Sequence, residues 1–240
     1  MLMKELRIII PTKNEEAYLP KLLESIKKQK YKDFEIVVAD ADSTDKTKSI
    51  AKSYRCKVIK GGYPDIGRNN GVKGCKSPLV CFIDSDIILP GPNYLNKAIK
   101  EFNERKLDLA GTLQRPIPTN RRAMNLLYKL FYKSANFAML LSQNTKKPFM
   151  QTLIFMRTEV HKNVGGFPPY EFGEDSALAK KVVLNGYKFG ILTKSGRAWI
   201  STRRLEEKGF FKMISKYVYL NIIRMLGKEH IRGKTKMKYW

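Results

Sequence analysis

The 240 residues predict an α/β protein with a mixed, mostly parallel sheet of Rossmann-like design and helices on both faces, and three observations carry this. Short β-branched runs, Leu6 to Ile10 and Phe34 to Ala39, alternate with a stretch in which Leu19, Leu22, Leu23 and Ile26 recur at helical spacing. Leu79-Val80-Cys81-Phe82-Ile83 is apolar without alternation, as expected of a strand buried on both faces in mid-sheet. Each run also ends in polar or acidic residues, at the carboxyl ends of strands where ligands bind in such sheets.

In chain order, Glu5 to Ile10 reads as the first strand, which Pro11 is expected to stop. The helix through Leu19 to Ile26 leads to the second strand, closed by Asp40-Ala41-Asp42-Ser43-Thr44-Asp45, and Ile50 and Ala51 sit in a short helix. Lys57 to Lys60 is a brief third strand and Gly61-Gly62 a turn. Gly67-Arg68-Asn69-Asn70-Gly71 begins a helix that leads into the strand at Leu79. After Asp86 the pattern predicts a helix from Asn93 to Glu104, a strand from Leu107 to Leu113, a long helix from Arg122 to Ser142 and a strand from Met150 to Met156. In the long helix Leu127, Tyr128, Phe131, Ala135 and Ala138 form a face expected to pack on the sheet, with Asn125, Lys129, Lys133 and Asn136 opposite. Gly165-Gly166-Phe167-Pro168 is a turn, and Glu174-Asp175 opens a last helix of the sheet region.

Lys and Arg number 46 against 22 Asp and Glu, a formal charge of +24. Such a balance suits nucleic acid, an anionic membrane surface or a phosphorylated substrate, and lysine-rich surfaces also occur without any such partner. No nucleic-acid motif accompanies the charge, so nucleic acid is not the expected partner. Cys56, Cys75 and Cys81 are too few and wrongly spaced for a disulfide framework or a structural zinc site, which fits a reducing cytoplasm. The first strand starts too early for a secretory leader, and no window approaches a membrane span, so a cytoplasmic protein is expected. From Arg203 onward there are 11 Lys or Arg and 3 Asp or Glu. There Phe210, Phe211, Ile214, Val218, Ile222 and Met225 can share one side of a helix, with Lys212, Lys216, Arg224 and Lys228 largely elsewhere and Tyr217, Tyr219, Tyr239 and Trp240 as interfacial aromatics. That helix either lies on an anionic membrane or packs on the rest of the protein.

Asp84 and Asp86 lie two apart on an extended chain, so both can address one cation or one polyol; the alternative is that they cap a turn. Taken together, Pro11-Thr12-Lys13-Asn14-Glu15-Glu16, Asp40-Ala41-Asp42-Ser43-Thr44-Asp45, Gly67-Arg68-Asn69, Asp84-Ser85-Asp86, Gly165-Gly166-Phe167 and Gly173-Glu174-Asp175 resemble glycosyltransferase family 2. The series covers residues from about 5 to 205, and six motifs in the family's order are far more specific than any one.

The resemblance implies a nucleotide-diphosphosugar transferase fold over residues 1–205, with a nucleotide-binding half to about residue 90, an acceptor half to 205 and a basic extension over 206–240. It implies inverting transfer of a sugar from a nucleotide diphosphate, UDP favoured and GDP possible, assisted by Mn²⁺ or Mg²⁺. Asp86 is then the expected metal ligand and Asp84 a donor contact. Pro11, Lys13 and Glu15 belong to the nucleoside pocket, with Asp40 or Asp42 reading the base. Arg68, Arg203 and Arg204 are expected at the diphosphate, although Arg68 also reads as a surface residue at a helix start. Asp175 matches the family's catalytic base, and otherwise it caps a helix; Gly166 and Glu174 fall on the acceptor side. Two departures stand out: Lys13 where the family often has Tyr, and Ala41-Asp42 where it commonly has Asp-Gly. The acceptor is expected to be lipid-linked. A non-catalytic nucleotide-sugar binder is the alternative.

Overall fold

The computed structural model describes residues 4–151, 153–169 and 173–225. The first half runs β1 (Leu6–Thr12), α1 (Leu19–Lys27), β2 (Phe34–Asp40), α2 (Thr47–Ser53), β3 (Lys57–Lys60), α3 (Pro64–Val72) and β4 (Leu79–Phe82). There follow β5 (Ile87–Ile88), α4 (Tyr94–Glu104), β6 (Leu109–Thr112), β7 (Gln114–Pro116), α5 (Arg122–Ser142), β8 (Ile154–Arg157) and α6 (Thr158–Asn163). The rest is α7 (Glu174–Leu184), β9 (Phe189–Leu192), β10 (Ala198–Ile200), α8 (Arg203–Glu207) and α9 (Phe210–Met225).

The main sheet has the order β3-β2-β1-β4-β8-β6-β9, and a small one β5-β10-β7. In the main sheet only the two pairings of β8, with β4 and with β6, are antiparallel. The predicted class therefore holds. Because successive side chains of a strand point to opposite faces, the apolar run of β1 feeds two cores. Ile8 and Ile10 join α1 and α4 residues such as Leu22 and Phe102 in one, while Ile9 joins Val80, Phe82 and Leu178 in the other.

Several boundaries differ from the sequence reading. Pro11 does not stop β1, which continues to Thr12 and pairs Pro11 with Ala39. Pairing with β4 has already ended at Ile9 and Phe82, so the missing proline N–H leaves no partner on that side unsatisfied. The strand expected from Leu107 to Leu113 is the shorter β6, and a further strand, β7, follows from Gln114 and pairs with β10 in the small sheet. Of Met150 to Met156 only the end is strand. Met150 bonds instead to the Ser176 hydroxyl through both its N–H and its carbonyl, each at 3.0 Å, and Leu153 takes φ 67°.

The long helix has its predicted span, and its inner face is turned from the predicted one: Tyr128 and Ala135 are buried and Leu127 and Phe131 half-buried as expected, but the centre lies further round. Tyr128, Tyr132, Ala135, Asn136 and Met139 are the buried residues, and Ala138 is exposed. α5 lies along β7, the edge of the small sheet, where unpaired backbone needs a polar partner. Asn136 supplies it, accepting from Gln114 N–H at 3.1 Å and donating to the Gln114 carbonyl at 2.7 Å. The amino-terminal half of α5 forms a third apolar cluster with Leu205, Phe210 and Met213, so the described part of the C-terminal helix packs on α5. The side chains of Ile222, Arg224 and Met225, and Lys228, Tyr239 and Trp240 entirely, lie outside the described residues. Among those described, no helix is long and apolar enough to cross a membrane.

Gly67 and Gly71 face the sheet from α3. A Cβ on Gly71 would stand 2.4 Å from Ile9 Cγ2, and one on Gly67 3.4 Å from Ala39 and Pro11 Cβ atoms. Gly71 is thus the position that lets helix and sheet approach this closely, whereas a Cβ on Gly67 would meet only ordinary contact. Gly71→Val should therefore overpack the centre of β1 and cost about 1–3 kcal/mol, read as a lower urea midpoint at unchanged slope.

Candidate active site

β1, β2 and β4 are parallel neighbours, so the loops after them converge at one end of the sheet. There Pro11, Thr12, Lys13 and Glu15 face Asp84, Ser85, Asp86 and Arg204 across a narrow cleft, with Gly62 and Pro64 at its side. A wider cleft of about 780 Å³ lies by α1 and β5, lined by Pro20, Lys21, Glu24, Lys28, Leu89 and Pro92. Its one acid, Glu24, accepts a hydrogen bond from the Tyr54 hydroxyl at 2.8 Å, so the wider cleft lacks the convergent carboxylates of the narrow one.

Arg68 is the centre of the charged cluster. Only 1 % exposed, it donates to Asp84 at 2.7 Å and to Glu174 at 2.8 Å, and its Nη1 lies 3.2 Å from Asp175. The Phe167 ring covers its guanidinium, 5.2 Å from centroid to Cζ. Asp84 follows β4, while Glu174 and Asp175 begin α7, so one guanidinium joins the two halves of the site. Burial raises the Asp175 pKa well above the usual carboxylate range, with Arg68 opposing and Glu174 and Asp84 adding to the rise.

The neighbour of Arg68 is fixed as firmly. Asn69 Oδ1 accepts from Phe167 N–H at 2.9 Å and its Nδ2 donates to the Phe167 carbonyl at 2.9 Å. His161 Nε2 stands 3.1 Å from the same Oδ1. Burial, with Lys181 and Lys162 adding, lowers the His161 pKa to about 4, so the ring is neutral and Nε2 carries the donated proton. Gly166 has φ 65°, and a Cβ there would fall 2.4 Å from Asn69 Oδ1. Gly166 therefore serves the turn that places Phe167 over Arg68.

Asp86 is 8 % exposed, and burial pushes its pKa up to about 6, against the pull of Arg204 and Arg203. Arg203 binds Glu15, lies 3.9 Å from Asp86 and covers the Tyr18 ring at 4.3 Å. These arginines reach the site because β10 pairs antiparallel with β5, Trp199 against Ile88, and Ser201 N–H donates to the Asp86 carbonyl at 3.1 Å. Glu15 Oε2 is buried and has no hydrogen-bond partner among the described residues. No group of three or more His, Cys, Asp or Glu able to hold a metal exists among the described residues. The donor set is instead hard carboxylate oxygen, Asp86 with Glu15 nearby. This fits Mg²⁺ or Mn²⁺, which commonly take one or two protein carboxylates and complete their shell with water and substrate phosphate.

Asp40 is 2 % exposed and both its oxygens are engaged. Oδ1 accepts from Ser43 N–H at 2.9 Å, and Oδ2 from the hydroxyls of Ser43 at 2.6 Å and Thr12 at 3.2 Å. Asp42 is exposed at φ 56°, a left-handed conformation that Asp tolerates better than most residues, which accounts for an acid where glycine is common. The structure thus brings together Lys13, Glu15, Asp84, Asp86, Arg203 and Arg204 in one group and Arg68, Glu174 and Asp175 in another that shares Asp84. Sequence reasoning missed Tyr18, Asn69, His161 and Phe167; of these only Asn69 and Phe167 stood inside quoted motifs.

A family model described as Glycosyl transferase family 2 matches residues 7–165. The poly(ribitol-phosphate) beta-N-acetylglucosaminyltransferase TarS of Staphylococcus aureus (strain MW2) is 27 % identical over 95 % of this chain, which spans 40 % of that relative's length. The crystal structure of S. aureus TarS 1–349 with UDP-GlcNAc superposes with a TM-score of 0.65 at 24 % identity, covering 82 % of this chain and 58 % of that one. The mannosyltransferase PcManGT of Pyrobaculum calidifontis, solved with GDP-Man and Mn²⁺, gives 0.66 at 21 % identity over 83 % of this chain and 57 % of that one. A third relative, the GalNAc(5)-diNAcBac-PP-undecaprenol beta-1,3-glucosyltransferase of Campylobacter jejuni, is 33 % identical over 35 % of this chain and 30 % of its own. With the family model spanning residues 7–165 and these neighbours sharing its mixed sheet, the chain belongs to glycosyl transferase family 2.

Proposed function

We propose that this protein transfers a sugar, with inversion, from a nucleotide diphosphate donor to an acceptor hydroxyl, with Asp175 as the base. One observation carries the reading: a buried carboxylate of raised pKa, held by Arg68, stands with the Asp84–Asp86 segment on the same charged cluster. A base poised above the carboxylate range is better matched to a hydroxyl proton near neutral pH than an ordinary aspartate. TarS solved with UDP-GlcNAc and PcManGT with GDP-Man support UDP first and GDP second as the donor base. The undecaprenol-linked acceptor in the name of the Campylobacter relative supports a lipid-linked acceptor here, reached by peripheral contact at the inner face of the cell membrane.

In this reading the acceptor oxygen attacks the anomeric carbon, its proton passes to Asp175, and the bond from that carbon to the diphosphate oxygen breaks. Arg68 orients Asp175 and Asp84 together, acting through them rather than on the diphosphate. Arg203 and Arg204 receive the departing diphosphate once Arg203 releases Glu15. Lys13, Glu15 and Pro11 border the nucleoside, with Asp42 as the exposed acid for the base and Asp40 fixing the loop beneath it. Asp86 would hold a divalent cation with Glu15 beside it, and the cation would neutralise charge on the leaving diphosphate. Glu174 anchors Arg68, and Gly166 shapes the wall behind it. Residues 1–205 carry the reaction, about 1–90 the donor and 91–205 the acceptor, with 206–240 as the basic extension.

The test is transfer or slow hydrolysis of UDP-, GDP- and dTDP-sugars with and without Mn²⁺; no turnover of any of them would leave a binding protein. Asp175→Asn should lower kcat about 10²- to 10⁴-fold while donor affinity, read by titration, is retained. Because the carboxylate is the working form, wild-type turnover should rise with pH through the raised pKa of Asp175. Stability should run the other way: a raised acid pKa favours the fold below its unfolded value and that gain is lost as pH climbs through the folded one. Thermal midpoints should accordingly fall across that window in the wild type and stay flatter in Asp175→Asn. Arg203→Ala and Arg204→Ala should each weaken donor binding by about tenfold or more, as loss of a charge-assisted contact does; unchanged affinity and turnover in both would remove the assignment.

A further inference from the structure

α5 is apolar on two opposite sides, and the described residues cover only one. Leu126, Leu130, Phe137 and Leu141 are 62, 55, 62 and 64 % exposed. At about 100° per residue these four fall within about 60° of one another, and the buried Tyr128, Tyr132, Ala135 and Met139 project from the far side. Exposed Lys129 and Lys133 and Arg122 flank the stripe. α9, packed on α5 through Phe210 and through Tyr217 stacked on Phe131, exposes Phe211 at 76 % and Val218 at 53 %. Large exposed apolar side chains are thus concentrated on these two helices.

The charge around them selects the occupant. From residue 109 to residue 158 the chain has no Asp or Glu and eight Lys or Arg, and Phe210–Met225 has no acid either. A second copy seated on this face would bring the same cations against it, which opposes association. Residues 226–240 hold five Lys or Arg and one Glu, so they too would add like charge. The neighbouring acids Glu206 and Glu207 belong to α8, and the apolar side chains of α5 and α9 themselves are flanked by cations, which matches a surface with an oily interior and anionic headgroups.

We propose that the outer face of α5, with Phe211 and Val218 of α9, is a docking surface for an anionic phospholipid bilayer, α5 lying in the interface with Leu126, Leu130, Phe137 and Leu141 turned into the lipid. α5 does not meet the requirements of a crossing helix, which leaves the in-plane arrangement. The inference rests on the peripheral contact proposed above and assigns it to α5 and α9. Its test reads lipid binding, so success or failure of glycosyl transfer does not decide it.

Flotation with phosphatidylglycerol–phosphatidylcholine vesicles, against phosphatidylcholine alone, should show wild-type protein bound only to the anionic vesicles. Leu130→Ser/Phe137→Ser should bind about tenfold or more weakly, since two side chains lose their apolar burial. Lys129→Glu/Lys133→Glu should lose binding to a similar degree and show a shallower salt dependence. All four positions are exposed, so thermal unfolding of both variants should match the wild type. Equal vesicle binding by wild type and Leu130→Ser/Phe137→Ser would overturn the proposal. So would a concentration-dependent dimer, or binding to single-stranded RNA, that this variant abolishes while vesicle binding persists.

Discussion

The site depends on one buried guanidinium. A cation that is 1 % exposed must be surrounded by negative charge, and Arg68 takes Asp84, Glu174 and Asp175. Removing one partner from such a cluster is far more damaging than the pair's net worth, because the remaining charges stay buried. Three acids on one cation leave the group over-supplied with negative charge, and that excess together with burial keeps Asp175 hard to ionise. The same imbalance extends outward to Asp86 and Glu15, which are met by Arg203 and Arg204. A chain with a charge of +24 thus holds a cluster of acids that its own arginines partly neutralise.

Placing Arg68 requires α3 to sit almost on the sheet. Gly67 and Gly71, four apart, give it a side-chain-free face against β1 and β2, and the residues between them point elsewhere. Asn69 then clamps the backbone of Phe167, and the Gly166 turn sets that ring over the guanidinium. Spacing, packing and charge are one device here: Gly71 sets the depth of the helix, and the depth sets which acids the arginine can reach.

Much of this was legible because it is local. Unbroken apolar runs mark β1 and β4 as strands covered on both sides, and the spans of β3 and α5 follow from residue pattern alone. What a sequence pattern does not carry is the partner. The bond from Arg68 to Glu174 spans 106 residues, and the Glu15–Arg203 pair spans 188. Arg68 therefore reads as a donor contact or a surface residue until the strands are assembled. Asn136 reads as an outer residue of α5 from its place among Asn125, Lys129 and Lys133, yet the edge of β7 needs a hydrogen-bonding partner there. Likewise the inner face of α5 lies further round than its pattern suggests, because the helix is apolar on two sides and periodicity alone does not say which one the fold will use.

The two acids after β2 show how assembly also separates roles that sequence leaves merged. Asp40 and Asp42 are equivalent as residues in a motif, and either suits recognition of a nucleoside base. In the fold Asp40 is consumed: Ser43 and Thr12 occupy both its oxygens, and Lys48 stands 3.5 Å away. Its contribution is to tie the end of β1 to the turn after β2, which gives the proposed nucleoside pocket a fixed floor. Asp42 sits on that floor in the open, in a left-handed conformation where a branched side chain would be strained and an acid is tolerated. Where the family commonly has Asp-Gly this chain has Ala41-Asp42, so its exposed carboxylate stands one position later, on the left-handed residue itself.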